Sequence, residues 1–145
     1  MIKICILGDV GSGKSYIAKR FGYPVFDADA EVSKIYKKST KCFKNLKKIF
    51  PKHIFSFPIK KTQIIKIIIQ NKNNLKKINK IVHPEVRLRM NKFFRINRKK
   101  KAVVLDIPLL LEGKINNKDD LLIFVQAKKK DINKRLKKRI NYNPK

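Results

Sequence analysis

The sequence predicts an α/β protein built on a parallel sheet, and three observations carry that expectation. An apolar, β-branched run opens the chain, "IKICIL" at Ile2–Leu7, and a glycine-rich turn and a helical pattern follow it directly. Two further apolar runs, "KAVVLDIP" at Lys101–Pro108 and "LLIFVQA" at Leu121–Ala127, read as strands late in the chain. Between these two groups lies a block whose apolar residues recur at helical spacing. Strand–helix alternation favours parallel pairing, and ligands then collect at the carboxyl ends of the strands. Gly8, Asp27, Asp29, Asp106 and Pro108 all fall at such ends.

Each element has its own signal. Lys14–Phe21 places Ile17, Ala18 and Phe21 on one helical face, and Gly22 and Pro24 then stop the helix. "YPVFDAD" at Tyr23–Asp29 reads as a second short strand ending in acids. Asp29 can cap the helix that follows, in which Val32, Ile35 and Tyr36 share a face. "CFKNLKKIF" repeats the spacing with Phe43, Leu46, Ile49 and Phe50, and Pro51 and Pro58 punctuate a loop. Thr62 to Val82 is helical again, aligning Leu75, Ile78 and Val82. Pro84 opens a further helix, where its missing N–H costs nothing, with Val86, Met90, Phe93 and Phe94 facing inward. The last helix, "KKDINKRLKKRI", aligns Ile132, Leu136 and Ile140.

The composition narrows the class. A chain of 145 residues with 43% hydrophobic content is enough for one domain with a core. Thirty-eight lysines and arginines against 10 acids give a net charge of +28. The basic residues run along the whole chain together with abundant Ile and Asn. That is a global compositional bias with a general attraction for anionic substrates, not a specific nucleic-acid site. Cys5 and Cys42 form no metal pattern, and Cys5 is expected to be a buried thiol, which fits a reducing cytoplasm. No signal peptide precedes the first strand, and "IIKIII" at Ile64–Ile69 is too short and too interrupted by Lys66 to span a membrane.

The chemistry concentrates in "GDVGSGKS", Gly8–Ser15. Gly8, four residues, then Gly13-Lys14-Ser15 is the pattern of a phosphate loop. Glycines let successive N–H groups turn inward, the following helix adds its N-terminus, lysine reaches outer phosphates, and the serine hydroxyl ligates Mg²⁺. Strand, turn and helix all stand in the required order. Carboxylates beside such a loop suit phosphoryl transfer, which needs charge stabilisation and an acid to orient or deprotonate the acceptor. Asp27 and Asp29 are placed for that role, although Asp29 could be a helix cap only. Asp106 reads as an acid holding Mg²⁺ through water, or as a solvated loop acid. His83 is either a cap or packing residue or a ligand. Arg135 and Arg139, four apart, form either a solvated basic face or a cation over the phosphates.

Taken together, "GDVGSGKSYIAKRFG…VFDADAEV", "NKIVHPEVR", "VLDIPLLLEG" and "KKDINKRLKKR" occur in the order seen in dephospho-CoA kinases, and the chain resembles that family from the first strand to Arg139. The "HP" dipeptide and "PLLLE" separate it from other nucleotide kinases. The resemblance implies a P-loop NTPase-type three-layer sandwich with an inserted helical substrate region and a partial lid. It implies one kinase domain over residues 1–145, with the insertion at about 32–98. It also implies phosphorylation of the ribose 3′-hydroxyl of dephospho-CoA by ATP with Mg²⁺. By similarity, Gly8, Gly11, Ser12, Gly13, Lys14 and Ser15 hold ATP, with Tyr16 at the periphery. Asp29 is the base; the residues themselves add Lys14 at the phosphates, Ser15 and Asp106 at the metal, and Asp27 as an acid that could share the load of Asp29. His83, Pro108, Leu110 and Leu111 contact the acceptor, and Arg139 belongs to the lid over ATP.

Three departures stand out. Asp9 replaces the family's usual glycine, and a carboxylate there must point outward or meet a lysine. Tyr16 replaces a small hydroxyl residue. The chain ends at "NYNPK", before the rest of the lid, a last strand and a final helix of the family, so weak activity is expected of these 145 residues alone. Three other readings stay open: a different small-molecule P-loop kinase, a degenerate nucleotide-binding protein without transfer, and a nucleic-acid-binding module supported by the charge alone.

Overall fold

The computed structural model of the chain describes residues 1–107 and 120–138. Ten elements follow one another: β1 (Ile2–Gly8), α1 (Lys14–Arg20), β2 (Val25–Asp27), α2 (Ala28–Lys38), α3 (Thr40–Ile49), α4 (Lys61–Gln70), α5 (Asn74–Ile96), β3 (Ala102–Asp106), β4 (Leu121–Val125) and α6 (Lys129–Lys137). They fall into two compact units. One comprises Met1–Asp27 and the described residues from Ile96 onward; the other is Ala28–Arg95.

The first unit is a four-stranded, all-parallel sheet of order β2-β3-β1-β4. The register pairs Ile4 with Val104, Ile6 with Asp106, Val25 with Val104, and Asp27 with Asp106. Partners in register project from the same face of a sheet. Ile4, Ile6, Ala102, Val104 and Val125 therefore share one face, where they bury against Ala18 of α1, with Ile17 and Phe21 alongside. Each large aliphatic side chain so buried contributes about 1.5–3 kcal/mol. The alternate residues Cys5, Val103, Leu105 and Phe26 are buried as well. Burial on both faces explains why "ICI" and "VVL" are continuous apolar runs without polar alternation. β4 lies at the sheet edge, and its Leu122 and Phe124 are more than half exposed.

The second unit is helical. Its buried residues include Ile35 of α2, Leu46 of α3, Ile67 of α4 and Ile78, Val82 and Val86 of α5, together with Ile54 from the connecting loop. Ser39 caps α3 by accepting from the Cys42 N–H at 3.0 Å, and its hydroxyl donates to Glu85 of α5 at 2.9 Å. Arg89 of α5 donates to Glu31 of α2 at 3.1 Å.

Three sequence expectations need correction here. The helical run over 62–82 is broken after Gln70: the Asn71 side chain accepts from the Asn73 N–H at 2.9 Å, and Asn74 donates its amide to the Ile67 carbonyl at 3.0 Å. Asparagine side chains compete with the helical ladder, and these two end α4 and start α5. Pro84 does not open a helix. It lies inside α5, ten residues from its start, so the ladder lacks the N–H that position 84 would donate. Asp29 is not a cap, because α2 already begins at Ala28; it stands in the first turn, where a carboxylate complements the helix dipole.

Candidate functional site

The β1–α1 connection folds as a tight loop because glycine occupies every position where φ is positive. Gly8 has φ +141°, and a Cβ there would meet the Val125 carbonyl oxygen of β4 at 2.3 Å. Gly11 has φ +86°, and a Cβ there would press on Leu136 and Ile132 of α6 at 3.2 and 3.3 Å. Any side chain at either position would be strained in the backbone and crowded in space. The Ser12 N–H donates to the Asp9 carbonyl at 3.1 Å and closes the turn. The Lys14 ammonium donates to the carbonyls of Gly8 at 2.6 Å and Asp9 at 2.8 Å. Gly13 precedes α1 without a side-chain cap, which leaves the first backbone N–H groups of that helix facing outward. The Ser12 hydroxyl is buried and has no hydrogen-bond partner among the described residues. A loop that leaves polar donors unsatisfied suits a ligand rich in acceptors.

The acids arrive by strand register. Asp106 ends β3 and Asp27 ends β2, side by side, on the sheet face that carries α1. That places Asp106 against the start of α1, where the Ser15 hydroxyl donates to its Oδ2 at 2.5 Å. Asp106 is only 9% exposed. A hydroxyl and a carboxylate converging at the mouth of a phosphate loop form a hard-oxygen pair suited to Mg²⁺, which takes one or two protein ligands and completes its shell with phosphates and water. Among the described residues no group of three or more acids, histidines or cysteines could hold a metal ion without such help.

The remaining candidates are distributed as follows. Asp9 is exposed and lines a cleft of about 470 Å³ with Phe124, Gln126, Ala127 and Lys128. Tyr16 is 64% exposed; its hydroxyl accepts from Arg20 at 2.7 Å, and the Arg20 guanidinium stacks over its ring. Asp29 and His83 belong to the helical unit. Burial, and secondarily the charge of Arg87, holds the His83 imidazole below its ordinary pKa. Pro108, Leu110, Leu111 and Arg139 lie outside the described residues. Arg135, open in the sequence between a solvated basic face and a cation over the phosphates, is exposed on α6 and also makes a contact that neither reading included. Its Nη1 donates to the backbone carbonyls of Gly11 at 3.1 Å and Ser12 at 2.9 Å. The signal was present in the flanking pair Ile132 and Leu136, whose spacing turns that face of α6 to the loop.

Comparison with known proteins agrees with this geometry. The family model described as dephospho-CoA kinase matches residues 2–145. The chain belongs to the dephospho-CoA kinase family. A dephospho-CoA kinase of Wolbachia pipientis wMel is 38% identical over 130 residues, covering 86% of this chain and 66% of that protein. The Bacillus anthracis dephospho-CoA kinase is 31% identical, covering 98% of this chain and 74% of its own length. Among solved structures, TT1252 from Thermus thermophilus superposes with a TM-score of 0.73 at 30% identity, over 96% of this chain and 72% of that one. A dephospho-CoA kinase from Campylobacter jejuni gives 0.64 at 23% identity, over 84% and 64%, and shows a shared fold. The chain thus spans about two thirds to three quarters of the length of these relatives. For a dephospho-CoA kinase fold, the glycine-rich loop, Ser15 and Asp106 are the part assembled within one unit.

Proposed function

We propose that this chain transfers the γ-phosphoryl group of ATP to the ribose 3′-hydroxyl of dephospho-CoA. The observation that carries the reading is the Ser15–Asp106 contact at the mouth of the glycine-rich loop, in a chain of this family. The loop N–H groups and Lys14 bind the β- and γ-phosphates. Lys14 exchanges its bonds to the Gly8 and Asp9 carbonyls for phosphate oxygens. Ser15 and Asp106 hold Mg²⁺, which when bound neutralises charge developing on the phosphates. Asp29 accepts the proton of the 3′-hydroxyl as that oxygen bonds to phosphorus, the bond from phosphorus to the β,γ-bridging oxygen breaks, and ADP leaves. Asp27, registered beside Asp106, adds to the negative charge that draws the metal in. His83, Pro108, Leu110 and Leu111 contact the acceptor, and Arg139 contacts ATP from the lid. In the architecture we propose, residues 1–145 form one kinase domain into which the helical substrate region is inserted. The enzyme works in the cytoplasm.

A substrate panel tests the assignment. Dephospho-CoA, adenosine, AMP and thymidine monophosphate are offered with ATP and Mg²⁺, and phosphorylated product is measured. Product from dephospho-CoA alone is expected. Preferential phosphorylation of a nucleoside or nucleotide would contradict it.

A further inference from the structure

The phosphate loop is held from outside as well as from within. Ile132 and Leu136, one turn apart on α6, rest on Gly11 so closely that a Cβ there would meet them at 3.2–3.3 Å, tighter than an ordinary contact. Between them Arg135 sends one guanidinium nitrogen to two consecutive carbonyls of the loop, Gly11 O and Ser12 O. In a trans peptide the N–H points opposite to the C=O. Holding the Ser12 carbonyl toward α6 therefore aims the Gly13 N–H away from α6, into the concave side of the loop. The Gly11 carbonyl belongs to the peptide whose N–H, that of Ser12, donates to Asp9 O, the same oxygen that receives Lys14. Arg135, two peptide groups of the loop and Lys14 form one hydrogen-bonded chain with a cation at each end, both donating to loop carbonyls.

We propose that Arg135 is a positioning residue of the phosphate loop: it fixes the loop's donors through their own carbonyls, so that the docking of α6 sets phosphate affinity. The inference rests on the phosphate-binding reading of Gly8–Ser15. It differs from a direct contact between Arg135 and the nucleotide, because the guanidinium is committed to backbone.

The test compares wild type with Arg135→Met, which keeps the apolar stem, and Arg135→Lys, which keeps stem and charge. Affinities for ATP and for inorganic tripolyphosphate are measured by calorimetry at low and high salt. Arg135→Met is expected to weaken both ligands alike, about tenfold, with the loss persisting at high salt because it arises from short-range hydrogen bonds to two loop carbonyls and not from long-range attraction. Arg135→Lys is expected to recover part of the loss at most, since the lysine ammonium sits one bond short of the Nη1 position that reaches both carbonyls. Unchanged affinity in Arg135→Met, a loss for ATP but not tripolyphosphate, a loss that vanishes at high salt, or full recovery with lysine would each overturn the proposal. Should Arg135→Met fail to fold, Arg135→Lys decides alone: affinity equal to wild type contradicts the inference, and a matched loss for both ligands supports it. Failure of wild type itself to bind either ligand would instead refute the phosphate-binding reading.

Discussion

Gly8 shows how a single atom can decide the site. Its φ of +141° and the Val125 carbonyl 2.3 Å from a would-be Cβ leave no room for alanine. Gly8→Ala should cost roughly 2–4 kcal/mol through strain and displacement of β4, and thermal unfolding measures it; an unshifted transition would show that the loop adapts. Ser15→Ala removes the hydroxyl that donates to Asp106. It should lower the affinity for ATP with Mg²⁺ about tenfold while leaving metal-free ATP binding nearly unchanged; equal losses in both would place Ser15 outside the metal site. Cys42 is a third case. Burial first, then the charge of Glu85, pushes its thiol up to about 12, and Cys5 is 1% exposed. Neither should react with a thiol reagent until the protein unfolds, and fast labelling in the native state would contradict the packing.

The elements show what the sequence reveals and what it conceals. Strands β1, β3 and β4 and the loop were legible because local rules decide them: apolar runs bounded by glycine, and a motif whose order is strand, turn, helix. Ser15 and Asp106 were both assigned to the metal from the sequence, but their direct hydrogen bond was not legible, because it depends on the register of β3 against β1 across 91 positions of sequence. Nor was Pro84 inside α5, since proline followed by apolar spacing reads as a helix start. The prior ladder runs through it because Val82 and Val86, on either side, are both buried and hold the helix in place. Such a local conflict is expected where a segment serves function. Pro84→Ala should stabilise the chain by about 1–3 kcal/mol while weakening dephospho-CoA binding; a loss of stability would mean the proline shapes the helix. His83 beside it carries a depressed pKa, from burial and then Arg87. Its unfolded state, with a value near 6.5, binds protons more readily than the folded one, so the stability it contributes above that pH is lost as pH falls through and below it. Thermal melts at pH 7.5 and 5 should show a smaller acid loss in His83→Gln than in wild type.

Charge and activity belong to the chain taken together. With a net charge of +28, folding brings like charges together, and added salt should raise the melting temperature by screening them. Nucleic acid should bind weakly, without sequence preference, and release steeply as salt rises; saturable, sequence-selective binding would reveal a partner that the fold does not suggest. The proposed phosphate transfer is the property that involves the whole chain. The deciding comparison measures coenzyme A formed from dephospho-CoA, ATP and Mg²⁺ by the wild-type chain and by Asp29→Asn, with ATP affinity measured on both. Removing a general base while leaving the phosphate loop intact should lower transfer by at least about a hundredfold at unchanged ATP affinity. Equal transfer by the two proteins would contradict the role given to Asp29, and ATP hydrolysis without coenzyme A formation by wild type would contradict the assigned reaction.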